Sequence, residues 1–209
     1  MKIFFVRHGE SLDASQDIVQ RSFTPLSDLG LRQADMVANI LKGNAFDHIY
    51  SSPLKRAYET AQEVVKCNKW NNDINVLEFL HEEKRPKCLE GLKHTDVEYL
   101  RIDSFVGENY YQPGFQYDGC DNFFTLRDRV IELRKLLESV EDQDSNILLF
   151  THAVVIKSFF ANTLLNNMHN EELHKAAIKL LKVRNCAVVE FQYKEMWKLI
   201  GLRNNIEEI

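Results

Sequence analysis

Cysteine is scarce in this sequence, and what there is forms no pattern. Cys67, Cys88, Cys120 and Cys186 stand far apart with no CxxC spacing. That argues against a disulfide-stapled scaffold and fits reduced thiols, so the expected location is the cytoplasm. Long apolar runs are lacking too. No segment approaches a membrane span, and the four apolar residues ahead of Arg7 are too few for a signal-peptide core. Basic residues are in deficit, with 26 Lys and Arg against 31 Asp and Glu for a net charge of -5. A protein that coats nucleic acid normally shows the opposite balance. Net charge says little about one pocket, so a local anion site stays open. With no internal repeat, low-complexity tract or Gly/Ser linker, the 209 residues read as one domain, long enough to bury an α/β core.

What is present is an alternation of strand and helix patterns. Residues 2–6 form a short apolar run of the kind that makes a core strand, and 48–50 and 74–77 read the same way. Ile147-Leu148-Leu149-Phe150 is the strongest strand signal, and 187–193 and 197–201 supply two more. Ser27 is placed to cap a helix with Leu31, Ala34, Val37, Ala38 and Leu41 on one face, closed by Gly43. Ser52 and Pro53 read as the cap and first position of the next helix, whose stripe is Leu54, Ala57, Ala61, Val64 and Val65. Another helix carries Leu126, Val130, Leu133, Leu137 and Val140, and an apolar one starts near Val154. Residues 80–120 read as irregular and aromatic, and 80–124 as a substrate-lid insertion whose aromatic region 99–124 is half core and half lid. The alternation predicts a three-layer α/β/α sandwich around a mostly parallel sheet of about six strands.

Polar groups gather just past the carboxyl ends of four of these strands, the edge where open α/β sheets bind ligands. Arg7 and His8 follow the first, Arg56 lies early in the helix after the second, Glu82 and Glu83 follow the third, and His152 follows the fourth. This set suits phosphoryl transfer, which depends on positioning and charge stabilisation. Arg7 and Arg56 offer planar forks for phosphate oxygens. Nearby arginines disfavour an imidazolium, so the groups that bind the anion also keep His8 a neutral nucleophile. His152 can donate to a phosphoryl oxygen. A carboxyl at Glu82 or Glu83 can protonate the leaving oxygen and then take a proton from water. Ser11 and Ser51 can touch phosphate, although small residues in turns more often serve the backbone. Gly9 would let backbone approach the phosphate.

The chain resembles the histidine phosphatase, or phosphoglycerate mutase-like, superfamily. The resemblance runs through Arg7-His8-Gly9-Glu10-Ser11, the segment 25–30, the segment 51–61 and Thr151-His152-Ala153, in family order along essentially the whole chain. It implies a phosphohistidine on His8, a phosphate pocket of Arg7, Arg56 and His152, and no required metal or other cofactor. The segment 80–86 ahead of Glu90-Gly91 resembles the family's acid/base segment and assigns that role to Glu82, with Glu83 as the substitute. Two positions depart from the family pattern. Many members carry asparagine where this chain has Ala14, and mutase relatives carry glycine where it has Gln20.

The expected activity is therefore metal-independent hydrolysis of a small phosphomonoester, with catalytic residues Arg7, His8, Arg56, Glu82 and His152. Ser11 and Glu83 join Arg7, Arg56 and His152 as expected substrate contacts. The rivals are phosphoglycerate mutase-type transfer, a phosphohistidine-protein phosphatase, and a phospholigand-binding module without catalysis. His81 and His94 match no metal-ligand spacing and read as surface residues. The charge run at Lys84, Arg85 and Lys87 reads as a solvated face.

Overall fold

A computed structural model of the chain, describing residues 1–164 and 170–204, holds a six-stranded sheet between two helical layers. The chain runs β1 (Lys2–Arg7), α1 (Leu12–Ser15), α2 (Asp28–Leu41), β2 (His48–Ser51), α3 (Lys55–Asn68), β3 (Ile74–Val76), α4 (Val97–Asn109), α5 (Phe123–Glu138), β4 (Asn146–Thr151), α6 (Ala153–Leu164), α7 (Glu171–Leu180), β5 (Val188–Lys194) and β6 (Met196–Arg203). The strand order is β3-β2-β4-β1-β5-β6. The first four are parallel, and β5 and β6 complete the sheet in antiparallel fashion. Among the described residues no helix is long and apolar enough to cross a membrane.

Side chains alternate across a strand, so a strand covered on both faces reads as an unbroken apolar run. In β1, Ile3 and Phe5 enter the core under α5 and α6 with Leu126, Leu133 and Phe159. Phe4 and Val6 enter the opposite core with Ala34, Val37 and Val64 of α2 and α3. Phe5, Phe150 and Phe159 are wholly buried, and each such burial stabilises the fold by roughly 1.5–3 kcal/mol.

Register places the site. Arg7 lies opposite Thr151 in the β1–β4 ladder, and Ser51 lies opposite Phe150. His8, Ser52 and His152 therefore leave the sheet together at its carboxyl edge. Thr151 Oγ1 donates to the Leu80 carbonyl at 2.6 Å, drawing the segment after β3 to the same edge.

Two glycines lock the turn after β1. A Cβ on Gly9 would lie 2.5 Å from the Gly30 carbonyl oxygen, and one on Gly30 would lie 2.0 Å from that of Glu10. Both obstacles are backbone, so neither position accepts a larger residue without displacing the start of α2. The close approach at Gly9 is thus to Gly30. Ser27 caps α2 as its sequence indicates, accepting from Gly30 N at 3.0 Å, and its hydroxyl donates to Glu10 Oε1 at 2.7 Å.

Three helices differ from the sequence expectation. α3 begins at Lys55 after an extended Leu54, two residues beyond the expected Pro53. Ser52 Oγ instead accepts from Leu54 N and bonds the His152 ring. The stretch 80–120, expected to be irregular, contains the 13-residue α4. Its pattern is obscured because Val97, Leu100 and Phe105 are exposed while Tyr99 and Ile102 are buried. Tyr99 and Ile102 join Val19 and Leu89 in a small separate core. α7 was not anticipated; Asn170 caps it through Leu173 N.

Candidate active site

His8 is buried, and its ring is held by one short bond. Nδ1 lies 2.6 Å from the Gly9 carbonyl oxygen, which can only accept. Nδ1 therefore carries the proton, and Nε2 presents its lone pair. Arg56 Nε donates to that lone pair at 3.2 Å. Burial first, then the charges of Arg56 and Arg7, hold the His8 pKa well below the usual imidazole range. A neutral imidazole with a fixed tautomer is what a nitrogen nucleophile requires.

Arg56 sits in the first turn of α3, almost wholly buried. Its second tether is Nη1 to the Arg21 carbonyl at 3.3 Å. Burial lowers its pKa to about 10, with Glu82 opposing. Arg7 is fastened through Nη1 to the Val183 carbonyl at 2.8 Å. Its Nε is buried with no hydrogen-bond partner among the described residues. Two guanidiniums thus converge on one imidazole.

His152 lies behind His8, with ring centroids 5.0 Å apart. Its Nε2 shares a 2.8 Å hydrogen bond with Ser52 Oγ, and its buried Nδ1 has no partner among the described residues. Burial, then the charge of Arg56, keep its pKa well below the imidazole range.

The two adjacent glutamates differ in surroundings. The electrostatic influence of Glu82 is felt by Arg7, Arg56 and Lys157. Glu83 instead accepts from the Tyr110 hydroxyl, and burial pushes its carboxyl up to about 7. The segment bearing them is strapped from α5. Arg129 pairs with Asp121 at 2.8 Å and donates to the His81 carbonyl, and Asp121 Oδ2 accepts from Lys84 N at 2.9 Å.

A raised carboxyl pKa opposes stability as pH rises. Between about 4.5 and 7 the folded state holds a proton on Glu83 that the unfolded chain releases, so stability falls across that window. The His8 and His152 shifts act oppositely, removing stability as pH falls below the ordinary imidazole value. Replacing Glu83→Gln isolates the first contribution. The melting temperature of the variant relative to wild type rises from pH 5 to pH 8 in calorimetry. The corresponding free energy is on the order of 3 kcal/mol. A difference that is flat with pH removes the assignment.

A cavity of about 420 Å³ opens over Arg7, His8, Arg56 and the two glutamates, while the fully buried His152 lies outside its lining. Arg7, His8, Arg56, Glu82 and Glu83 line it, together with Gln20, His81, Lys84, Arg85, Lys87, Glu90 and His94. His81 and His94 thus lie at the cavity, and His81 is buried rather than at the surface. Lys84 and Lys87 are exposed, while Arg85 is bound to Tyr99 and Asp103. Ser11 is fully buried and outside the lining; it caps α1 through Ala14 N and donates to Gln20 Oε1 at 2.9 Å. Ser51 is buried and bonded to the Ser52 carbonyl. Glu10 is taken up by Ser27.

Four features of the site region have no counterpart among the sequence expectations: the Ser52–His152 bond, the Arg129–Asp121 strap, the Tyr110–Glu83 bond and the Asp13 clamp. Asp13 is buried and accepts from Arg21 N at 3.0 Å, from the Arg21 side chain and from Thr24. Arg21 leads that stabilisation, holding the Asp13 carboxyl down to about 2 against its burial. The Ser52–His152, Tyr110–Glu83 and Arg129–His81 contacts join residues distant in the chain, so local spacing carries no trace of them. The Arg129–Asp121 pair and the Arg21 contacts of Asp13 instead lie within short stretches of chain.

Fold and site together define an α/β protein that gathers guanidiniums around a neutral imidazole at the carboxyl edge of its sheet. A sequence model of the histidine phosphatase superfamily (branch 1) matches residues 3–205, and the chain belongs to that superfamily. The phosphoglycerate mutase-like protein 4 of Arabidopsis thaliana is 29% identical over 201 residues, covering 91% of this chain and 79% of its own. The alpha-ribazole phosphatase of Shigella flexneri superposes with a TM-score of 0.81 at 21% identity, over 100% of this chain and 99% of that one. A phosphoserine phosphatase of Entamoeba histolytica, solved with 3-phosphoglyceric acid, superposes at 0.70 with 24% identity over 98% of each.

Proposed function

We propose that this protein hydrolyses a small phosphomonoester through a phosphohistidine on His8 Nε2. The observation that carries the reading is the His8 ring itself. Its Nδ1 proton is fixed on Gly9, and its Nε2 lone pair faces Arg56 inside a cavity also lined by Arg7. In the free site Arg56 Nε occupies that lone pair. An arriving phosphoryl dianion takes the guanidinium onto its own oxygens and releases Nε2 for in-line attack. As the P–N bond forms and the ester P–O bond breaks, Arg7, Arg56 and the unpaired nitrogen of His152 stabilise the charge on the phosphoryl oxygens.

The leaving alkoxide takes its proton from the Glu82 carboxyl. Glu82 then removes a proton from water, the P–N bond breaks, and inorganic phosphate leaves. The segment 80–124 acts as the substrate lid, since it contributes Glu82, Lys84, Lys87, Glu90, His94 and Gly119 to the cavity.

The test is phosphate release from a broad phosphomonoester panel in the presence of EDTA. Activity survives chelation, because the arginines supply the charge neutralisation that a metal would otherwise provide. Loss of activity on chelation refutes the mechanism. Isomerisation of a phosphoglycerate outpacing phosphate release would establish mutase-type transfer instead. Phosphate-dependent binding without turnover on any ester would identify a binding module.

A further inference from the structure

We infer that Ser52 is a positioning residue of the active site, whose hydroxyl donates to His152 Nε2 and thereby sets the ring's proton on Nδ1. What that proton does in turnover rests on the phosphatase reading above. The pairing of β2 with β4 builds the contact into the sheet. Ser51 ends β2 opposite Phe150, and Ser52 N donates to the Phe150 carbonyl at 2.9 Å. His152 comes two residues after Phe150, just past the end of β4, and its Nε2 meets Ser52 Oγ at 2.8 Å. Both side chains are fully buried.

The direction of that bond follows from counting protons. Leu54 N can only donate, and it reaches Ser52 Oγ at 3.2 Å, so the oxygen already accepts once. The hydroxyl proton has no acceptor among the described residues other than His152 Nε2. Were the ring to donate instead, the hydroxyl proton and the Nδ1 lone pair would both be buried without a partner. With the hydroxyl donating, the contact uses all its polar atoms, and the group left over is an Nδ1 N–H. Burial and the charge of Arg56 keep the ring neutral, so it carries one proton and the serine decides where.

The free nitrogen of His152 is thus a donor, on a ring whose centroid lies 5.0 Å from that of His8. A lone pair there would repel a phosphoryl dianion, whereas an N–H stabilises the charge on its oxygens. The two imidazoles are set by unlike partners. A backbone carbonyl holds the His8 proton on Nδ1, and a hydroxyl on the far nitrogen does the same for His152.

The experiment compares wild type, Ser52→Ala and Ser52→Thr, with folding checked by thermal melts. Imidazole nitrogen NMR at neutral pH reads which nitrogen bears the proton, and the signals that vanish in His152→Gln identify the ring. Wild type carries the proton on Nδ1. Ser52→Ala moves it toward Nε2, the site an unconstrained imidazole prefers, and lowers kcat at least about tenfold. Ser52→Thr keeps the hydroxyl, so it retains the wild-type protonation and a kcat within about threefold.

An Nε2 proton in wild type overturns the inference, as does an Nδ1 proton that stays in place in Ser52→Ala. So does a proton that moves while kcat does not. A folded Ser52→Thr with wild-type protonation but alanine-like turnover also overturns it, since turnover then follows packing. If neither variant folds, the wild-type spectrum decides alone. Absence of turnover by wild type defeats the phosphatase reading, while the spectra still decide where Ser52 places the proton.

Discussion

His8→Ala lowers turnover by at least about four orders of magnitude, with little change in the fold. The expectation follows from removing a covalent nucleophile, a loss that the remaining groups cannot replace. On the proposed mechanism Arg7, Arg56 and His152 still bind phosphate in the variant, so inorganic phosphate remains an inhibitor or ligand. Water must then attack the ester phosphorus directly, without the two-step path. A second readout fixes the chemistry. Wild type quenched during turnover carries an acid-labile, base-stable phosphoryl group on one histidine, and His8→Ala carries none. Near-normal turnover in the variant would exclude His8 as nucleophile, and labelling of another residue would transfer the role to it. Alanine at position 8 also empties a buried site, so melting curves must accompany the kinetics.

Arg56→Ala carries the second large effect, about two to three orders of magnitude in kcat/KM. Arg56 acts twice. On the proposed mechanism it grips the phosphoryl oxygens, and before substrate binds it donates to His8 Nε2 while its charge adds to burial in holding that imidazole neutral. Its removal therefore weakens phosphate binding and also raises the His8 pKa. The sign follows directly, since a base next to one cation fewer accepts a proton more readily. The acid limb of the kcat/KM profile moves to higher pH, and the variant recovers part of its lost activity as pH rises. Arg56→Lys keeps the charge but loses the fork, so it retains the low imidazole pKa with impaired kcat. An acid limb that stays in place in Arg56→Ala would show that burial alone keeps His8 neutral.

The parallel core was legible because strands buried on both faces are apolar without interruption, as at 2–6 and 147–150. Where burial is one-sided or absent the signal fades. α4 escaped detection because Val97 and Leu100 point to solvent, and its two buried residues, Tyr99 and Ile102, pack on a minor core. The start of α3 was misplaced for another reason. Ser52 has the composition of a cap, but His152 claims its hydroxyl from 100 residues away. In the same way Ser11 read as a phosphate contact, whereas its hydroxyl is spent on Gln20.

By itself the sequence determined the residue types of the site, their attachment to successive strand ends and the superfamily, since each is encoded within short stretches of chain. Tertiary structure alone decided which nitrogen of His8 is free, that Glu82 and Glu83 experience different fields, and that Gln20 lines the cavity. Those properties depend on backbone carbonyls, burial and cross-chain partners. Such partners meet only when β1 and β4 pair in register and the segments after them close over the carboxyl edge of the sheet.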